Sequence, residues 1–406
     1  MLFFAVLITA VIVYIIQSKI YERHAFDSLS YDVKLSAEEV FEGEDIFMYE
    51  ELCNGKNLPI PSIRIDTELP EGMYFRFTDK SGRKNQKDSL SRVNQSAFVL
   101  KSAQCIRRRW RVNCKKRGIY TPGRVLMVTN DLFGFNALSK SLEVPKGRKN
   151  SIVVLPRPVE LDGAFTSSHY LSGDVSVPHS LISDPLLISG SREYTPLDPM
   201  SKINWNSTAS HGRMMVNIED FTEQHTFNII LNMQSRPIEL HRDTPSSPEY
   251  IENCITVAAS IIDRVSASNI PVRMFINTPP KMLGLDVDGD ISVTKAYRGK
   301  GETIEALRLL AALEMQISCP ADKMLDTISK NPYYFSNGGN IIIVSAYIDE
   351  RMIVFHDIMR RAGIRVMFYV TEANQNAMTI PSNIEVFYNT YLERRAANEH
   401  VILAVC

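Results

Sequence analysis

The sequence predicts an α+β multidomain chain: an N-terminal transmembrane helix, an immunoglobulin-like antiparallel β-sandwich and an α/β domain with a Rossmann-like parallel sheet. Three observations predict it. Leu2–Gln17 is uncharged and almost wholly apolar, residues 27–150 alternate at period two between turn signals, and residues 222–406 alternate apolar strands with amphipathic helices. The divisions are 1–18 for the anchor, 27–150 for the sandwich, 151–221 for a linker and 222–406 for the α/β domain. At 406 residues and 45% apolar composition the chain has material for two or three packed domains.

The first segment, LFFAVLITAVIVYIIQ, spans sixteen residues, Leu2 to Gln17. At ~1.5 Å rise these reach about 24 Å, slightly short of a ~30 Å hydrocarbon core. Met1 and the interface-seeking Tyr14 extend the segment, and local bilayer thinning covers the rest. A cleaved signal peptide would have a basic n-region and a small-x-small cleavage site before Lys19 and Arg23, and both are missing. Lys19, Arg23 and His24 follow the span while only the terminal amine precedes it. The positive-inside rule therefore expects a single-pass plasma-membrane protein with a cytoplasmic body. Six cysteines without CxxC spacing are expected as free thiols on that reducing side.

From Asp27 onward the runs YDVKLS, DIFMYEEL, SIRIDTEL, MYFRFT, SAFVLKS, RRRWRVNC and GRVLMVT are separated by turn signals such as Pro-Glu-Gly and Thr-Pro-Gly. Seven or so strands at that spacing read as a sandwich, with the polar tract Asp79–Asn94 as a loop. A net charge of −1 argues against a general nucleic-acid binder. The one basic run, Arg107–Lys116, puts Arg107, Arg109 and Arg111 on one strand face and Trp110 on the other, so it reads as a solvated face over a buried tryptophan.

In the back half the expected strands are Phe227–Met233, Ile270–Asn277, Asn340–Ala346 and Ile364–Val370. The expected helices are Glu249–Ser266, Glu302–Ile317 and Glu350–Ala362. Wholly apolar strands alternating with helices imply a parallel sheet covered on both faces, with any ligand at the strands' carboxyl ends, in the loops after Met233, Asn277 and Ala346.

The stretch SREYTPLDPMSKINWNSTASHGRMMV (Ser191–Val216) joins the two halves and fits neither pattern. Arg192, Glu193, Tyr194, Asp198, Asn204 and Trp205 are its candidate interaction residues. Arg192 and Glu193 are expected to pair with Lys202, Asp198 or backbone, and Trp205 to anchor the segment over the α/β domain. No base, nucleophile or metal set converges on Glu193 or Asp198 in the sequence, so no catalytic residue is assigned. Asp286, Asp288 and Asp290 lack a calcium loop's glycine and its twelfth-position glutamate, and read as a hairpin turn. Gly299-Lys300-Gly301 reads as a helix start, and no GxxxxGK[ST], HExxH or GxSxG occurs.

The central SREYTPLDPMSKINWNSTA resembles the signature of the bacterial "domain of unknown function 58" family, close to REY-x-P-G-D, a basic residue, I-D-W and S-A-R. Arg117-Gly118-Ile119-Tyr120 and Asn130-Asp131-Leu132-Phe133-Gly134 resemble that family's RG-x-Y and D-P-F-G elements. The back half is similar to the von Willebrand factor A-like domain of those proteins. The resemblance implies a membrane-anchored, non-enzymatic protein working with a MoxR-type AAA+ ATPase in the assembly or activation of partner proteins. Leu197 stands for the motif's glycine, Asn204 for its second aspartate and Ser210 for its arginine. At the first strand end, Asn232-Met233-Gln234-Ser235-Arg236 replaces the family's D-x-S-x-S metal pattern. Asn232 and Gln234 offer only neutral carbonyls and Arg236 brings a cation, so no metal or other cofactor is expected. Two alternatives remain at this level. One is a hydrolase using Asp198 and Glu193 in a cleft between domains; the other is an exported envelope-binding module, which disulfides among the cysteines would favour.

Overall fold

The computed structural model describes residues 2–77, 89–130, 136–143, 150–161, 188–195, 200–219, 226–239, 241, 243–279, 286–288, 290–335, 339–372, 381 and 383–388. The chain is of mixed α/β class. It divides into two compact units: unit 1 is Met1–Arg157 with Leu307–Leu313, and unit 2 is Pro158–Ala306 with Glu314–Cys406.

Unit 1 opens with helix α1 (Leu2–His24), whose apolar residues lie on all sides rather than on one stripe. Phe3, Phe4, Leu7, Ile8, Val11 and Ile15 are exposed. Among the described residues no helix is long and apolar enough to cross a membrane. The side chains of Leu2, Ala5 and Val6 lie outside the described residues. The far end of α1 is seated on the β unit: Tyr21 is buried and donates its hydroxyl to the Pro59 carbonyl, and Lys56 Nζ donates to the carbonyls of His24 and Ala25.

Twelve strands follow among the described residues, more than the seven runs visible in the sequence: β1 (Leu29–Leu35), β2 (Glu39–Phe41), β3 (Asp45–Asn54), β4 (Ile60–Glu68), β5 (Met73–Phe77), β6 (Ser89–Ser91), β7 (Val93–Leu100), β8 (Gln104–Cys114), β9 (Gly118–Tyr120), β10 (Arg124–Asn130), β11 (Ala137–Glu143) and β12 (Ile152–Leu155). They form sheets ordered β1-β3-β8-β5-β6, β11-β10-β4-β7 and β2-β12-β9. The first two are antiparallel throughout, and β12, beyond the expected boundary at 150, pairs parallel to β2. Strict alternation of burial along β3 and β7, and along β4 from Ile63 onward, turns one face of each inward. Met48, Phe75 and Val112 pack in one apolar cluster, and Leu52, Ile63 and Phe98 in another, giving a β-sandwich-like unit. The tract expected to loop from Asp79 to Asn94 contains β6 and the start of β7; β6 pairs with β5, and residues 79–88 lie outside the described ones.

Arg107, Arg109 and Arg111 are exposed on one face of β8 and Trp110 is half-buried on the other. The basic face is balanced internally: Arg107 pairs with Glu51 at 3.1 Å, Arg111 with Asp45 at 2.8 Å, and Arg109 lies 4.6 Å over the Phe47 ring. Trp110 Nε1 donates to buried Glu50 at 2.6 Å, which satisfies its one polar atom.

Unit 2 contains β13 (Ile188–Glu193), α2 (Trp205–His211), β14 (Met215–Glu219), β15 (Phe227–Leu231), α3 (Pro248–Ala267), β16 (Val272–Ile276), β17 (Asp286–Asp288), β18 (Ile291–Val293), α4 (Gly299–Ala312), α5 (Ala321–Lys330), β19 (Asn340–Ser345), α6 (Glu350–Arg361), β20 (Arg365–Val370) and β21 (Glu385–Tyr388). The last turns of α4 cluster with unit 1. The sheet runs β17-β18-β16-β15-β19-β20-β21, parallel from β16 to β21 with an antiparallel hairpin at the β17 edge. Asp288 faces Ile291 across that hairpin's turn. The helix expected to reach Ile317 stops at Ala312, because the Ile317 amide donates to the Asp243 carbonyl instead.

Candidate functional site

The central stretch forms a small module. β13 and β14 pair antiparallel, Arg192 opposite Val216 and Glu193 opposite Met215, while Ile203 bridges to Val216. Tyr194 and Asn204 amides donate to the carbonyls of Met214 and Met215, both at 2.8 Å, closing the loop that carries α2. Asn204 is the helix N-cap: its extended backbone leaves Oδ1 to accept the Ser207 amide at 2.9 Å. Gly212, at φ 66°, ends α2 in the left-handed conformation that a side chain would resist. Ser210, where the family has arginine, gives its hydroxyl to the Asn206 carbonyl.

Ile203 and Val216 are the buried residues of this module's underside. The expected anchoring role of Trp205 is not what the structure has. Trp205 is 68% exposed, Met200 is 71% exposed, Met214 is exposed beside them, and no α2 residue is buried. Among the described residues of the module Ile203 and Val216 are the buried ones, while the indole at the first helical position stands in solvent. Glu193 pairs with Arg213 at 3.7 Å, both exposed, and Arg192 Nη1 donates to the Glu193 carbonyl, the backbone partner expected for it. Such an exposed pair stabilises little. Tyr194 is half-buried. Leu197, Asp198 and the Lys202 side chain lie outside the described residues.

At the carboxyl ends of β15 and β19, where the strand order reverses, the metal-pattern positions form a buried neutral network. Asn232 Nδ2 donates to Ser345 Oγ at 3.0 Å, and Asn232 Oδ1 accepts from the Gln234 amide at 3.0 Å and Asn277 Nδ2 at 3.3 Å. Gln234 Oε1 accepts from the Ala321 amide at 2.6 Å and the Tyr347 hydroxyl at 3.4 Å. The oxygens a cation would need are thus engaged by donors. Arg236 is exposed, and its amide donates to Glu239. Among the described residues, no group of three or more His, Cys, Asp or Glu is placed to hold a metal.

Glu239 is the keystone of that loop and was missed in the sequence. Its carboxylate accepts from the amides of Ser235, Arg236 and Ser246 and from Ser235 Oγ. Burial pushes this carboxyl up, but the bonds from Ser246 and Ser235 outweigh it, so it titrates below its ordinary range. A depressed folded-state pKa contributes stability above the unfolded value that is lost as pH falls through the folded one. Glu239→Gln is therefore expected to cost unit 2 about 1–3 kcal/mol at pH 7. That difference should shrink in acid, as measured by urea unfolding at the two pH values.

In unit 1 the Arg117-Gly118-Ile119-Tyr120 element is built for packing. Buried Arg117 donates from Nη1 to the carbonyls of Leu310 at 2.7 Å, Leu313 at 2.9 Å and Ala311 at 3.3 Å. Gly118 and Gly72 both have positive φ, and the Tyr120 ring lies where their side chains would be. Asn130 ends β10, and residues 131–134 of the second element lie outside the described ones.

One expectation is overturned outright. Cys53 and Cys105 are not free thiols but a disulfide, 52 residues apart in sequence and directly opposite in the β3–β8 register. Neither spacing nor composition showed this, because it depends on which strands pair. Cys114, Cys254 and Cys319 are free and buried. Two rows along the same sheet face, Asp32, Lys34, Tyr49, Glu51 and Arg107 line an open cleft of about 360 Å³.

No family model matches the chain, and no curated protein matches it. Solved structures match over parts of it. The sporulation control protein Spo0M from Bacillus subtilis is 15% identical over 30% of this chain and 50% of its own, with a TM-score of 0.17. A CARDB domain from Pyrococcus furiosus is 11% identical over 29% of this chain and 96% of its own, with a TM-score of 0.18. A non-cellulosomal cohesin from Archaeoglobus fulgidus is 11% identical over 29% and 92%, with a TM-score of 0.17. The chain spans half the length of the Spo0M structure.

Proposed function

We propose that this chain is a membrane-tethered, non-enzymatic scaffold that docks a MoxR-type AAA+ ATPase through the β13–α2–β14 module. The observation that carries the reading is the exposure of Trp205 and Met200 on a module held by its hairpin pairing, its two helix caps and buried Ile203 and Val216. A large aromatic kept in solvent on a fixed frame is the usual anchor of a protein interface. The all-round apolar surface of α1 supports its placement in a bilayer, with the body cytoplasmic as the flanking charge directs. The sheet order with its antiparallel edge hairpin supports a von Willebrand factor A-like reading of unit 2, and the neutral Asn232–Gln234–Asn277 network supports a scaffold that works without an ion.

An affinity pull-down of the detergent-solubilised protein from its own cells, beside Trp205→Ala, is expected to recover the ATPase with the native chain and to lose most of it with the variant. Equal recovery would remove Trp205 from the interface. A second reading, the exported module with its body outside the membrane, is favoured by the Cys53–Cys105 disulfide, since such bonds persist in oxidising compartments.

A further inference from the structure

We propose that Cys53 and Cys105 form a reversible thiol–disulfide site that exchanges with low-molecular-weight disulfides and thiols. The proposal rests on the cytoplasmic placement of the body, where reducing thiols are present and disulfides form transiently.

Reach is the first support. Cys105 is exposed and Cys53 half-buried, whereas Cys114, Cys254 and Cys319 are buried. Burial pushes the Cys114 and Cys254 thiols up to about 12 and that of Cys319 to about 11, so they stay protonated and do not compete. Position is the second. The pair occupies the next-to-last rung of the β3–β8 ladder, beside Asn54–Gln104. Just beyond that rung, Asn54 Nδ2 donates to the carbonyls of Leu58 and Lys101, the Ala103 amide donates to the Lys56 carbonyl, and Lys56 holds the end of α1. The bond therefore fixes the end of the sheet on which the helix is seated. The other nine residue pairs of the ladder survive its loss, so reduction loosens this end without separating the strands.

The chemistry balances. One protein thiolate attacks a sulfur of the small disulfide, forming a mixed disulfide and releasing one small thiolate. The other protein thiolate attacks the protein sulfur of that mixed disulfide, closing Cys53–Cys105 and releasing the second. Two protein thiols lose two electrons and two protons, which the small disulfide takes up as two thiols.

The test uses the full chain in its own cells, acid-quenched before and after a pulse of diamide, with thiols labelled by one maleimide before reduction and a second after it. A membrane-impermeant maleimide on intact cells reports the side of the membrane. The expected result is a pair mostly reduced at rest, about fivefold more oxidised within minutes of diamide, reversed on recovery, and unlabelled from outside. A pair that stays reduced through diamide would overturn the site and leave the cytoplasmic placement standing. A pair always oxidised, and opened only by an impermeant reductant added outside, would overturn both. On the purified full chain, reduction should speed amide hydrogen exchange about tenfold in residues 54–59 and 101–104. Unchanged exchange there would contradict the proposed loosening.

Discussion

Arg117→Ala is expected to lower the stability of unit 1 by about 3–5 kcal/mol, among the largest effects of any single substitution in the chain. Arg117 is buried and its Nη1 serves three carbonyls at the end of α4. Those carbonyls lie at and just past a helix C-terminus, where the Leu310 carbonyl also accepts the Leu313 amide and a cation meets the negative end of the helix dipole. Alanine leaves them buried without that donor and opens a cavity the length of the side chain. Arg117→Lys keeps a charge and three donors on a shorter reach, and is expected to retain about half of the stabilisation. Urea unfolding followed by Trp110 fluorescence measures this, because the half-buried Trp110 reports on unit 1 while Trp205 is already exposed. A loss below about 1 kcal/mol would mean that water replaces the guanidinium at those carbonyls.

Reduction of Cys53–Cys105 is the second large effect, expected to lower unit 1 stability by about 2–4 kcal/mol. The bond closes a loop with a sequence separation of 52, and cross-linking such a loop removes conformations from the unfolded chain. The urea midpoint of the Trp110 transition should fall on adding a phosphine reductant. Cys53→Ser with Cys105→Ser should start at the lower midpoint and not respond to reductant. An identical midpoint for all three states would show that the reduced strands are held fully by their ladder.

The sequence carried the architecture where hydrophobic period decides it. The all-buried β15, the β19 and β20 buried at all but their first residue, and the amphipathic α3 and α6 fall within a few residues of their expected bounds, since a core-facing pattern leaves little choice. The hairpin at Asp288–Ile291 was legible for the same local reason, its Asp-Gly turn. What the sequence hid depends on pairing across distance. β6 lies in a polar tract and becomes a strand only by meeting β5; Cys53 and Cys105 become neighbours only through the register of β3 and β8. Trp205 misled for a different reason. A tryptophan in a charged linker reads as an anchor, but here Ile203 and Val216 are buried and the indole is exposed. At the candidate site the sequence singled out Asn204, Asn232 and Gln234 but not their hydrogen-bond partners, which depend on the fold, while Glu239 carried no motif at all.

The most direct test of the scaffold account is the equilibrium affinity of the purified full chain, held in a lipid nanodisc, for the purified MoxR-type ATPase of the same cells. The account predicts specific binding that Trp205→Ala weakens by about 10–30-fold, the ~1.4–2 kcal/mol of a central aromatic anchor, with the variant's unfolding curve unchanged. Binding of equal strength by the variant, or no binding by the native chain, would contradict it.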